Sequence, residues 1–150
     1  MGGMMLISSH TVSVDDKGRV SVPARFREYL YSKFGDQLVL LDMDGCIFAY
    51  PLQEWSRRFS DKFGQLPTYR DEVRKYVRSM YGRATECVLD RQGRILLPSR
   101  LRESAQIQKD AVIIGLENKF EIWSSENWKK QISEAPDVFE GKDTFIELEF

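Results

Sequence analysis

Apolar and polar positions change rhythm several times along the 150 residues, and the changes come in the same order twice. Thr11 to Val14 and Glu86 to Leu89 are short runs of alternating or apolar character that predict strands. Each leads into a polar stretch, Asp15-Asp16-Lys17-Gly18 or Asp90-Arg91-Gln92-Gly93. Asp at the first position and Gly at the fourth suit a type I turn. Arg19 to Val22 and Arg94 to Leu97 then read as return strands. The period next shifts to that of a helix. Phe26 and Leu30, four apart, form an inner edge after Pro23, and Leu101 and Ala105 do so after Pro98. Proline is tolerated at the first helical position, so both helices are predicted to begin there. Apolar runs at Leu38 to Leu41 and Cys46 to Tyr50 flank Asp44-Gly45, which predicts a hairpin. Ala111 to Leu116 and Phe120 to Trp123 flank Glu117-Asn118 in the same way. An amphipathic helix carrying Trp55 or Trp128 closes each series.

The elements recur because the sequence does. Asp15, Gly18, Arg19, Pro23, Arg25, Arg27 and Glu28 return 75 residues later as Asp90, Gly93, Arg94, Pro98, Arg100, Arg102 and Glu103. From the hairpin onward the offset is 73, a two-residue deletion between helix and strand. A copy of about 50 residues is too small to bury an adequate core alone, so the copies are expected to pack about a pseudo-twofold axis. The predicted organisation is a first half at 8–63, a connecting helix at 64–85, a second half at 86–133 and an acidic tail at 134–150. In the connector, Pro67 stops the preceding helix and Thr68 with Asp71 resembles a capping box. Val73, Tyr76, Val77, Met80 and Tyr81 form a stripe that is either core or subunit interface, while Arg70, Arg74, Lys75 and Arg78 face outward.

Composition narrows the function classes. Hydrophobic residues make up 42% and charged residues 30%, an ordinary globular mix. No apolar run approaches the ~20 residues that span a bilayer, and Met1 to Ile7 is too short for a signal peptide and lacks its basic start. An intracellular chain is expected. The formal net charge is −1, but residues 134–150 carry −5 and residues 1–133 carry +4. A basic body beside an acidic tail leaves nucleic acid open as a partner. Cys46, Cys87 and His10 are too few and too scattered for a zinc site, and both cysteines read as reduced core or near-core residues. His10 is the only histidine and reads as a strand-edge or packing residue. Asp15 and Asp90 form a symmetric carboxylate pair, but neither is followed by the small hydroxyl residue and glycine of an aspartic protease dyad. No phosphate-cradling, dinucleotide-binding, zincin or nucleophile-elbow motif occurs. Catalytic residues, cofactor, metal and small-molecule substrate are therefore all expected to be none.

The repeated motif explains its own Asp, Gly and Pro as turn and helix-start residues, but not Arg19 and Arg94. An arginine just after a tight turn costs side-chain entropy and gains little as a surface ion pair. With Lys17 or Arg91 it makes a compact cationic tip. A two-stranded ribbon fits the DNA major groove, and guanidinium pairs bidentately with guanine. On the residues alone, DNA contact, a plain turn and another interaction all remain open.

Asp15-x-x-Gly18-Arg19-x-x-x-Pro23-x-x-x-Arg27-x-x-Leu30 resembles the motif of the AbrB-like, swapped-hairpin transcription factors. The second copy matches it, with Ala105 in place of leucine. Two tandem copies, a helix between them and "HTVSVDDKGRVSVPARFRE" are similar to one family in particular, MraZ, over roughly residues 8–133. The resemblance implies an α+β fold of two pseudo-symmetric hairpin-and-helix halves. It implies subunits assembled into a closed homo-oligomeric ring, an octamer, in the cytoplasm and at the nucleoid. It also implies a regulator of the bacterial division and cell wall gene cluster, a repressor that binds double-stranded DNA at short G-rich direct repeats upstream of its own gene. Carried over, Arg19 and Arg94 would read bases and Lys17 and Arg91 would contact phosphates. Asp15, Gly18, Asp90 and Gly93 would hold the turns. Arg25, Arg27, Arg100 and Arg102 would be outer DNA contacts or structural pairs. Because Gln92 stands where the first copy has Lys17, the first tip is expected to dominate. The alternative is a ring-forming or antitoxin-like interaction module without DNA binding. The tail either limits nonspecific binding or packs on a neighbour; Phe145 to Phe150 alternate as in a strand.

Overall fold

A computed structural model describes residues 5–136. The strand pattern expected near the C-terminus lies outside the described residues. The chain runs β1 (Ser9–Ser13), β2 (Arg19–Ser21), α1 (Ala24–Lys33), β3 (Gln37–Met43), β4 (Cys46–Pro51) and α2 (Leu52–Trp55). The helix continues through a π-helical turn (Ser56–Ser60) into α3 (Asp61–Phe63). Then come α4 (Asp71–Arg83), β5 (Thr85–Val88), β6 (Arg94–Leu96), α5 (Ser99–Ser104), β7 (Asp110–Gly115), β8 (Phe120–Ser124) and α6 (Ser125–Glu134). The fold is α+β. A six-stranded antiparallel sheet has the order β1-β7-β8-β4-β3-β5, and β2 pairs with β6 in a separate two-stranded ribbon.

The return strands depart from expectation. β1 and β2 do not form a hairpin; of that pairing only an isolated bridge between Val14 and Val20 remains. β1 pairs instead with β7 of the other half, β5 pairs with β3, and β2 pairs with β6. A three-residue hairpin arm would be marginal alone. Exchanged between halves, the strands bury Val20, Ile95, Val22 and Leu97 to 1% exposure or less in one core.

The registers reveal the symmetry. Ser13↔Asp110 through His10↔Ile113 on one edge of the sheet match Val88↔Gln37 through Thr85↔Leu40 on the other, under the offsets of the sequence repeat. Two pairs map onto themselves: Val20↔Ile95 in the ribbon and Phe48↔Glu121 where β4 meets β8. The pseudo-twofold axis therefore passes through the ribbon and the middle of the sheet.

Alternation along the strands divides the side chains between two layers. Leu38, Leu40, Ile47, Ala49, Ala111, Ile113, Phe120 and Ile122 face the ribbon, α1 and α5. There they join Phe26, Leu30, Leu101 and Ala105, the helix edges expected from the sequence. Val39, Leu41, Cys46, Phe48, Tyr50 and Trp123 face the opposite layer of Trp55, Met80 and Trp128. Each fully buried large aliphatic or aromatic side chain contributes roughly 1.5–3 kcal/mol of burial, so the two cores together hold the halves as one body. Leu6 belongs to the first core at 0% exposure and is tied by its backbone to Glu117, although it lies outside both sequence copies.

Three helix starts also differ from expectation. Pro23 and Pro98 are N-caps with extended ψ, so the helices open one residue later. At α4 the N-cap is Arg70 and no side chain caps it, so the Thr68–Asp71 box does not form; Arg74 Nη1 donates to the Thr68 carbonyl at 2.8 Å. Tyr76 and Tyr81 of the α4 stripe stay about half exposed, at 52% and 46%, while Met80 is buried.

Candidate nucleic-acid interface

Both turns close in the same way. The Gly18 N–H donates to the Asp15 carbonyl and the Asp15 N–H donates to the Arg19 carbonyl, each at 2.9 Å. One oxygen of the Asp15 carboxylate accepts the backbone N–H groups of Lys17 (3.0 Å) and Arg19 (2.8 Å). The other accepts Arg19 Nε at 2.8 Å. In the second turn Asp90 accepts the Gln92 and Arg94 N–H groups at 2.8 and 2.9 Å and Arg94 Nε at 2.9 Å. Each aspartate thus holds its turn and its arginine together. The Nε edge of each guanidinium is occupied, while neither Nη group donates to any described residue. Each arginine is left with a two-pronged donor edge that has no partner among the described residues.

The Arg19 backbone N–H, helped by the Arg19 side chain and the Lys17 N–H, holds the Asp15 carboxyl below the ordinary 3.8; Arg94 and Gln92 do the same for Asp90. A carboxyl depressed by folding contributes fully above its unfolded value and loses that contribution as pH falls through the folded one. The turns should accordingly be unchanged from about pH 8 to pH 5 and open only below the ordinary carboxylate range. Two-dimensional NMR of the arginine Nε–H signals across that range checks this. Signals that shift with a midpoint above about pH 5 would show that the pairs are not formed as described.

Each tip is built from both halves. Leu97 N–H donates to the Gly18 carbonyl and Val22 N–H donates to the Gly93 carbonyl, at 2.8 and 3.0 Å. Arg102 donates Nε to the Leu97 carbonyl at 2.9 Å and lies over Gly18. Arg27 donates Nη1 to the Gln92 carbonyl at 3.2 Å and lies over Gly93. Both glycines have positive φ, 86° and 76°, and a Cβ at either would meet the crossing guanidinium. Glycine is required here twice over, by backbone angle and by the arginine above it.

The eight basic residues singled out in the sequence separate into groups. Lys17, Arg19, Arg91 and Arg94 lie at the tips, with Lys17 and Arg91 exposed. Arg25 is exposed on α1 and makes no side-chain hydrogen bond to a described residue. Arg27 and Arg102 are half-buried braces between halves. Arg100 donates to the Arg83 carbonyl at 2.7 Å and pairs with the buried Asp42 at 3.5 Å, away from the tips. Formal charge over 15–19 is 0 and over 90–94 is +1, because Asp16 stands where the second copy has Arg91. By charge, then, the second tip is the more cationic, the reverse of what Gln92 alone suggested.

The ribbon adds two residues that sequence reasoning passed over. Val20 and Ile95 point into the core, so Arg19, Ser21, Arg94 and Leu96 share the outer face. Leu96 is 55% exposed there, directly opposite Arg19. The alternation around Ile95 carried that signal. Arg19 and Arg94 start antiparallel strands and stand diagonally, about 7–8 Å apart at Cα.

Other candidate chemistry finds structural uses. His10 packs edge-on to Phe26 with ring centroids 5.1 Å apart and shares a hydrogen bond with Ser8. Cys46 is buried and Cys87 half-buried, and both are free. Burial pushes both thiols up, Cys87 to about 11, so neither is a thiolate at neutral pH. Among the described residues no cluster of three or more His, Cys, Asp or Glu could hold a metal ion, and no helix is long and apolar enough to cross a membrane.

Comparison with known proteins gives one consistent result. The family model described as "MraZ protein, putative antitoxin-like" matches residues 5–78 and again 80–146. A transcriptional regulator MraZ of Limosilactobacillus reuteri is 43% identical over 136 residues, covering 91% of this chain and 93% of that protein. One of Moorella thermoacetica is 43% identical over 136 residues, covering 91% and 92%. One of Desulfitobacterium hafniense is 44% identical over 135 residues, covering 90% and 92%. These relatives are named as regulators and not as enzymes. With two matches that together span nearly the whole chain, as its duplicated turns and exchanged strands do, the chain belongs to the MraZ family.

Proposed function

We propose that this chain is a DNA-binding transcriptional regulator that reads DNA through the outer face of the β2–β6 ribbon and its two flanking turns. The observation that supports this most is the duplicated Asp–Arg pair. In each copy the carboxylate occupies Nε and leaves both Nη groups without a partner among the described residues. Two parallel N–H donors match the O6 and N7 acceptors of guanine in the major groove. Because the turn is already locked by hydrogen bonds, the arginine loses little freedom on binding. Lys17 and Arg91 flank the forks and supply phosphate contacts. Leu96 and Ser21, between the arginines, meet base edges or a thymine methyl.

The resemblance to the family supports the finer reading. The chain assembles into a closed ring, an octamer, and represses the division and cell wall gene cluster from short G-rich direct repeats upstream of its own gene, at the nucleoid. One tip binds weakly. Several tips on one ring raise the effective concentration at repeated sites, provided repeat spacing matches chain spacing.

Fluorescence anisotropy of the purified chain against its own upstream DNA tests this over a salt series. Tight binding that needs the repeats, with log Kd changing at about 0.9 per neutralised phosphate, is the expected result. Equal binding to scrambled DNA removes the sequence-reading role. No salt-dependent binding at all favours the antitoxin-like interaction module instead.

A further inference from the structure

The two halves are not equally covered. In the first half, α4 lies across the sheet layer that holds Trp55, and Leu41, Trp55 and Val39 are buried to 0%, 6% and 3%. Phe63 and Tyr81 close that layer, 5.5 Å apart, and Tyr81 meets Trp55 at 6.3 Å. The equivalent positions of the second half, 73 residues on, are Ile114, Trp128 and Val112, with Leu116 and Ile132 matching Met43 and Phe59. Among the described residues nothing stands where α4 would. Leu116 is 42% and Ile132 56% exposed, and Ile114 and Trp128 are only partly buried. The result is a contiguous apolar face on α6 and β7.

We propose that the chain's own C-terminal segment, residues 137–150, covers this face. In the first half the covering helix, α4, is the next element after the Trp55 helix, beyond the connector 64–70. The C-terminal segment likewise comes next after the Trp128 helix, starting three residues after Glu134 ends α6. Of its 14 residues, Val138, Phe139, Phe145, Ile146, Leu148 and Phe150 are apolar. Fourteen residues reach at most about 50 Å, and Ile132 lies only one helical turn before Pro136. The segment carries a formal charge of −4, and Lys129 and Lys130 are exposed on α6 beside the face. Tethering gives it an effective concentration in the millimolar range. The face lies on the side of the sheet away from the ribbon, so the docked segment keeps its acidic charge clear of the tips.

Photo-crosslinking of the full chain tests the assignment. With p-benzoylphenylalanine in place of Ile132, the expected product joins that position to a peptide within 137–150. Mixing equal amounts of isotopically heavy and light chains separates the sources. A product that is all heavy or all light supports the chain's own segment. Mixed-isotope product means that a neighbouring chain's segment sits there, and overturns the proposal. So does a crosslink to α4 of a second copy, or irradiation that yields no crosslink to 137–150. As a second arm, Phe145→Asp and Ile146→Asp together in the full chain should increase binding of an apolar dye while leaving DNA affinity within about twofold; unchanged dye binding counts against the proposal.

Discussion

Replacing Arg19 and Arg94 together by alanine is expected to remove specific DNA binding. On the proposed reading each forfeits a bidentate guanine contact worth roughly 1–3 kcal/mol, about fivefold to 160-fold in Kd at each site a chain occupies. Where several chains bind one DNA the losses multiply. The fold should be spared, because both side chains are partly exposed and their Nη groups donate to no described residue. The melting temperature is expected to move by no more than a few degrees. Arg→Lys at the same positions separates base reading from phosphate attraction. Lysine keeps the charge and loses the planar fork, so it should retain salt-dependent binding and lose preference for the repeats. Full specificity in the lysine variants would assign the arginines to phosphates, and unchanged affinity in the alanine variants would remove the tips from the interface. Anisotropy titration and differential scanning calorimetry on the same preparations read both properties.

Gly93→Ala is expected to be clearly more destabilising than the same change at Gly18 in the matching turn. Its φ of 76° is unfavourable for any residue with a Cβ, at about 1–2 kcal/mol. The new methyl also overlaps the Arg27 guanidinium, which must leave and give up its bond to the Gln92 carbonyl. A net loss of hydrogen bonding adds about 0.5–1.5 kcal/mol. The sum, roughly 1.5–3.5 kcal/mol, lowers Tm by about 3–14 °C in a chain of this size. Gly18→Ala should cost less. There the methyl stands 3.0 Å from Arg102 Nη2, the far end of a side chain that can give a little. The ordering of the two variants is itself the test: equal losses would mean that backbone angle alone explains both glycines.

Much of the architecture was legible in the chain. The repeat, the two Asp-to-Gly turns, the hairpins at Asp44 and Glu117 and the inner edges Phe26–Leu30 and Leu101–Ala105 all follow from local periodicity and turn chemistry, which act within a few residues. Strand partners did not follow. Arg19 to Val22 reads the same whether it pairs with its neighbour or with β6, because β-propensity reports burial and not the identity of the partner strand. The same limit hid the braces. Arg27 touches Gln92 and Gly93, 65 and 66 residues away, and Arg100 meets Asp42 across the fold. Long side chains bridging halves leave no local signature. Leu6 was missed for a related reason: a lone apolar residue beyond the repeat has no period to belong to, and its burial depends on the strand-like contact with Glu117.

The axis through Val20 and Ile95 has a consequence for operator grammar. A twofold rotation exchanges the tips and reverses the direction in which each meets the duplex, so the two tips of one chain suit an inverted repeat. Direct repeats are related by translation and contain no such dyad. A chain on a direct-repeat operator therefore presents its two tips in opposite senses, and only one can meet the recurring base step in the same way each time. The period of such an operator would then measure the distance from one chain to the next, and the unequal charges of the two tips would decide which of them is read.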